Sequence, residues 1–160
     1  MAKRRYWLMK SEPGTYSIHD LEREGSTMWD GVRNYQARNL MRDECRVGDM
    51  VLFYHSSAKP SGVAGLARVS RAPYPDPTQF EDGGPYHDPT SDPDDPRWIL
   101  VDVAYVETFE EVLPLAALKA EPALADMLVV QKGQRLSVMP VEKDHFQRVC
   151  RLAGAVTKIR

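Results

Sequence analysis

Apolar positions come in short bursts along this chain, and most of the bursts have the length and the aromatic or β-branched content of strands. Tyr6-Trp7-Leu8-Met9-Lys10 predicts a first strand, ended by the turn-forming Glu12-Pro13-Gly14. Asp49-Met50-Val51-Leu52-Phe53-Tyr54-His55, introduced by Gly48, is the clearest strand, and a glycine-broken strand over 62–70 follows it. From Trp98 to Thr108 a strand resumes, with Ile99, Val101, Val103 and Tyr105 on one face and Leu100, Asp102, Ala104 and Val106 on the other. Leu136-Ser137-Val138 predicts a short closing strand.

Helical spacing interrupts these strands at irregular intervals. Ser17, with Asp20 three residues on and Gly25 at the stop, predicts a short capped helix to about Arg23. A second helix is expected from Asn34 to about Arg42, with Ala37, Leu40 and Met41 inward. Pro114 suits the first turn of a third, running to about Ala120. The last, Glu142 to about Ala153, carries Phe146, Val149, Cys150 and Ala153 on one stripe. Regular βαβ alternation is absent, and neither a GxGxxG nor a Walker A sequence occurs. The pattern predicts one α+β domain over residues 1–160, with a core of about 5–155 built on a small mixed or barrel-like sheet.

One segment fits neither period. Residues 73–96 hold seven of the twelve prolines and seven acidic residues, with no Lys or Arg. Such an excursion within a small domain is expected to be functional or partly disordered, since neither helix nor ladder strand should persist there. It also changes the charge picture. The formal net charge is −2, yet the remainder of the chain carries 21 basic against 16 acidic residues, enough for a local positive field. No apolar run approaches the roughly 18 to 20 residues that span a bilayer, so no membrane partner is expected. Cys45 and Cys150 lie far apart in helical surroundings, which fits reduced thiols in a cytosolic or nuclear compartment.

Candidate chemistry concentrates in Trp29-Asp30-Gly31-Val32-Arg33-Asn34-Tyr35-Gln36-Ala37-Arg38-Asn39. Aromatic faces stack on bases, carboxamides offer a donor beside an acceptor, and arginines hold phosphate oxygens. Trp29 and Tyr35 flank a glycine turn among polar neighbours, whereas Phe53 and Trp98 read as core aromatics. His55 ends an apolar strand, where a pocket role and a hydrogen bond to a backbone carbonyl are about equally expected. His87 reads as a solvated loop residue and His145 as an outer helix residue; none of the four histidines has metal-ligand spacing, so neither a metal nor another cofactor is expected. Lys10-Ser11-Glu12 could support a lysine-activated hydroxyl in amide hydrolysis, but a Ser-Glu-Pro-Gly turn explains the same residues without catalysis. Gln131-Lys132-Gly133-Gln134-Arg135-Leu136-Ser137 adds a second polar and basic loop.

Lys10 to Pro13, Trp29 to Asn39, Phe53-Tyr54-His55-Ser56, Gly62-Val63-Ala64-Gly65-Leu66, Tyr74 to Phe80 and Gln134-Arg135-Leu136-Ser137 together closely resemble the EVE domain, a PUA-like family related to the YTH readers of methylated adenine in RNA. The resemblance spans nearly the whole chain. It implies a small mixed β-barrel surrounded by short helices, and a non-catalytic reader of modified nucleobases, with modified cytosine in DNA favoured over RNA. The implied base pocket comprises Ser11, Trp29, Val32, Asn34, Tyr35, Phe53, Tyr54, His55, Ser56, Gln134, Leu136 and Ser137. Lys10, Arg33, Arg38 and Arg135 are the expected phosphate contacts. An amidohydrolase acting on a modified nucleoside, and a YTH-like reader of modified RNA, are the alternatives. Eukaryotic nuclear members of the family carry a longer basic tail before the domain. With only Lys3-Arg4-Arg5 here, a bacterial cytoplasmic setting is expected, or a nuclear one if the protein is eukaryotic.

Overall fold

The computed structural model describes residues 3–159. Six strands form a single mixed sheet in the order β2-β5-β4-β3-β1-β6. β1 (Tyr6–Ser11) runs parallel to β3 (Met50–His55) and antiparallel to β6 (Val138–Val141). β4 (Gly62–Pro75) pairs antiparallel with β3 and with β5 (Ile99–Pro114), and the short β2 (Ser26–Met28) adds to the far side of β5. Four helices surround the sheet: α1 (Ile18–Glu24), α2 (Tyr35–Asp43), α3 (Leu115–Ala120) and α4 (Lys143–Ala153). α2 touches both β5 and β6, which three strands separate in the sheet order, so the sheet curls in barrel-like fashion around its core.

Local signals explain the helices. Ser17 accepts from the Asp20 amide while the Asp20 carboxylate accepts from the Ser17 amide, a complete capping box, and Gly25 ends α1 with positive φ. Asn34 caps α2 by accepting from the Ala37 amide, and Ala37 and Met41 face inward. Trp7, Leu8 and Met9 in β1, and Val51, Leu52 and Phe53 beside them, have almost no exposed surface. Buried Asp49 ties the start of this strand pair together, accepting from the Arg5 and Arg46 amides and the Trp7 indole, each at 2.9 Å. The glycines of β4 serve close packing. A Cβ at Gly65 would lie 2.3 Å from the Glu107 carbonyl and 2.9 Å from Ile18, so only glycine lets β4, β5 and α1 meet there.

Several expectations require correction, among them the strand expected to end at Thr108, which runs on to Pro114 and leaves that proline just before α3. β4 continues to Pro75 and a 3-10 turn forms over Pro77–Phe80, so the proline-rich segment is not structureless at its start. Pro73 and Pro75 are tolerated because this end of the strand is irregularly paired, with register shifts between Val69 and Tyr74. The closing strand begins at Val138, leaving Leu136 and Ser137 in the loop before it. β2 went unpredicted because Ser26-Thr27-Met28 has no apolar alternation and pairs along one side only. His145 is buried rather than outward. No helix among the described residues is long and apolar enough to cross a membrane.

Candidate functional site

The C-terminal end of β1, the β2-to-α2 connection and the proline-rich excursion meet around a cleft of about 680 Å³. That lies within the roughly 300–1,000 Å³ of small-molecule sites. Lys10, Ser11 and Glu12 come from β1 and its turn, Thr15 and Tyr16 from the approach to α1, and Thr27 to Arg33 from β2 and the segment after it. Pro85 and Tyr86 of the excursion and Ser137 close the remaining side. Trp29 forms part of this wall with only 7% of its surface exposed, its ring edge-on to buried Phe53 at 5.4 Å between centroids. Its amide is fixed by a hydrogen bond to the Val101 carbonyl, so β5 sets the indole's position.

Gly31 explains how the excursion reaches the cleft. It has φ +79°, and a Cβ there would lie 2.6 Å from the Tyr86 ring. The aromatic ring therefore rests directly on the backbone of the motif. Beside it, buried Asp76 accepts from the Gly31 amide and from Arg33, both at 3.0 Å, and from the Thr78 amide at 2.8 Å. Arg33 also donates to the carbonyls of Tyr86 and Val32 and to the Thr78 hydroxyl, so all five of its N–H groups are engaged. Fully buried Gln79 holds the base of the excursion, donating to the Asp76 and Trp98 carbonyls and accepting from the Trp98 amide and the Ser91 hydroxyl. The acidic segment is thus docked against the basic motif, and the charge separation along the sequence is not a separation in space.

The structure brings together Lys10, Ser11, Trp29, Val32, Arg33 and Ser137 of the sixteen residues expected at the site. The others stand elsewhere. Tyr35, half exposed, leaves the cleft to stack on Trp98 at 4.9 Å under the Arg38 guanidinium, on a separate groove with Arg42 and Arg97. Asn34 spends its carboxamide oxygen on the helix cap. Phe53 and Tyr54 are buried in the sheet behind the cleft wall, and the Ser56 amide bonds the Ser11 carbonyl. His55 is 7% exposed, and its Nε2 accepts from the Ile18 amide at 3.1 Å, a backbone N–H rather than the expected carbonyl. Gln134 accepts from the Leu136 amide within its own turn, and buried Leu136 joins the core. Arg33, expected at phosphate, is committed to the excursion; Arg38 donates to the Arg97 carbonyl and Asn39, while Arg135 is exposed before β6.

Three cleft groups were missed by sequence reasoning. Tyr16 lines the cleft with a buried hydroxyl that has no hydrogen-bond partner among the described residues. Tyr86 lay in a segment with no periodic signal. Asp30 stood inside the motif but was passed over in favour of the carboxamides. It is half-buried and forms no ion pair or hydrogen bond to another of the described residues, and burial, then the charge of Asp76, pushes its carboxyl above the usual range. Lys10 likewise has no ion-pair partner among the described residues, its ammonium 5.7 Å from the Tyr54 ring centroid, with burial pulling its pKa down. Ser11 donates to the Tyr16 carbonyl at 2.7 Å, and among the described residues no Lys10–Ser11 hydrogen bond forms. Among those same residues, no group of three or more His, Cys, Asp or Glu side chains is placed to hold a metal. Burial raises the pKa of both cysteine thiols, Cys45 and Cys150.

Comparison with known proteins follows the same geometry. Human thymocyte nuclear protein 1 is 42% identical over 165 residues, covering 92% of this chain and 73% of that protein. A crystal structure of a Pseudomonas putida protein superposes with a TM-score of 0.89 at 51% identity, covering 92% of this chain and 99% of the other. A structure of human THYN1 in complex with DNA containing 5-methylcytosine superposes with a TM-score of 0.86 at 40% identity, covering 96% and 99%. The EVE domain matches residues 5–152, the entire sheet and the helices except the last residue of α4, and this chain accordingly belongs to the EVE domain family.

Proposed function

We propose that this protein binds nucleic acid carrying a modified cytosine, most favourably in DNA, and holds that base extruded from its stack inside the cleft between Trp29 and Tyr86. The observation that carries the reading is the cleft itself. A rigid indole, a tyrosine ring on glycine backbone and, at Asp30 and Lys10, polar groups without a partner among the described residues line one space large enough for a pyrimidine ring. The 40%-identical human protein in complex with 5-methylcytosine DNA supports the ligand class. Extrusion costs a few kcal/mol, which ring contacts and hydrogen bonds to the base edge offset. Ser137, Val32 and the Ser11 turn complete the walls, and Lys10 is left as the cation for a flanking phosphate.

Titration of labelled oligonucleotides that differ at one base tests this. The expected result is tighter binding of 5-methylcytosine than of cytosine, with Trp29→Ala weakening it by roughly 10- to 100-fold, as loss of one base–aromatic contact does. Equal affinity for both oligonucleotides would sink the specificity claim. Competition with RNA carrying the same modified base measures the polymer preference.

A further inference from the structure

Thymine and 5-methylcytosine share the methyl group at C5. They differ at position 4, a carbonyl oxygen in one and an amino group in the other, and in the protonation of N3. A cleft that recognised only the ring face and the methyl group would hold both bases, and thymine is abundant in any DNA of mixed sequence. Discrimination requires a group that accepts a hydrogen bond from the amine and repels the carbonyl, which a carboxylate does.

Two carboxylates line the cleft. Glu12 is exposed on the turn after β1, where water competes for it. Asp30, directly after Trp29, is the more buried of the two, and like Glu12 it has no hydrogen-bond or ion-pair partner among the described residues, whereas Asp76, close by, is already saturated by Arg33 and by the Gly31 and Thr78 amides. Holding an unpaired carboxylate even half away from water opposes folding. Packing alone gives no reason for a charge at this position.

Resting on the reading of the cleft as a site for modified cytosine, we propose that Asp30 is its specificity-determining residue: the carboxylate accepts the N4–H of the bound base and turns away the O4 of thymine and uracil. The contact selects cytosine from thymine, while the walls select the substituent at C5.

The full chain and its Asp30→Asn variant are titrated with oligonucleotides identical except for one base: 5-methylcytosine, cytosine, thymine, or 5-methylpyrimidin-2-one, which lacks any substituent at position 4. Wild type is expected to bind 5-methylcytosine at least about tenfold more tightly than thymine or the unsubstituted ring. In D30N the thymine penalty collapses, because an amide donates to O4 as readily as it accepts from N4. An unchanged 5-methylcytosine to thymine ratio in D30N overturns the assignment. Should the variant fail to fold, equal wild-type affinity for 5-methylcytosine and 5-methylpyrimidin-2-one overturns it independently. Wild type that fails to prefer 5-methylcytosine over cytosine defeats the functional reading itself; wild type that keeps that preference while D30N keeps its thymine penalty defeats only the role of Asp30.

Discussion

His55 shows how a residue with functional chemistry is recruited for structure. Its Nε2 accepts the Ile18 amide at the first turn of α1, which requires a neutral ring, and burial followed by the nearby His19 lowers its pKa below the ordinary value. A histidine with a depressed folded pKa contributes stability that is fully present above its unfolded pKa, about 6.5, and is lost as pH falls through the lower folded value. Urea unfolding between pH 8 and pH 5 should therefore show stability falling below about pH 6.5. His55→Ala should cost about 2 kcal/mol at pH 8, the order expected for an orphaned buried amide, and should flatten that slope. A slope unchanged in the variant would mean that another group titrates. The strand-end position of His55 was legible, and its choice between pocket and backbone was not, because Ile18 lies 37 residues away in sequence.

The caps of α1 were legible in full, since Ser17 pairs with Asp20 and Gly25 with Leu21, each within about one turn. The proline-rich excursion is the opposite case. Its prolines correctly forbid a long helix, yet Asp76 and Gln79 give it a fixed form by bonding to Gly31, Arg33 and Trp98, partners that local pattern cannot identify. Gly31 is the point of contact. Gly31→Ala adds a methyl group overlapping the Tyr86 ring on backbone with φ +79°, and should destabilise the protein by roughly 1–3 kcal/mol. It should also lift Tyr86 from the cleft, making the segment 81–96 a preferred site of limited proteolysis and weakening oligonucleotide binding. Unaltered cleavage and binding in G31A would show that the Tyr86 contact does not hold the excursion.

For the whole molecule, electrostatics depend on folding more than on composition. A net charge of −2 concealed an apparent basic remainder, but docking puts Asp76 and Asp88 against Arg33 and Arg97 and sets Asp92 and Asp95 beside Arg38 and Arg42. Much of the motif's positive charge is neutralised where it stands. Oligonucleotide affinity should consequently fall only modestly with salt, and Lys10→Ala should lower the slope of log affinity against log salt by about one if it contacts one phosphate. An unchanged slope removes Lys10 from the backbone contacts.

Strand and helix periods, the helix caps, the α+β class and the Trp29 to Asn39 motif were readable from residue order, because each rests on interactions between residues a few positions apart. The division of labour inside the motif was not. Trp29, Val32 and Asp30 turn toward the cleft, Arg33 turns to Asp76, and Tyr35 turns away to Trp98, although all lie within seven consecutive positions. Those directions follow from contacts 43 to 72 residues distant, and the β5 backbone, Asp76, Tyr86 and Trp98 exist as neighbours only after the sheet has curled. Residue type could nominate the segment as a base-binding surface; which of its side chains meets the base depends on what the rest of the chain has already claimed.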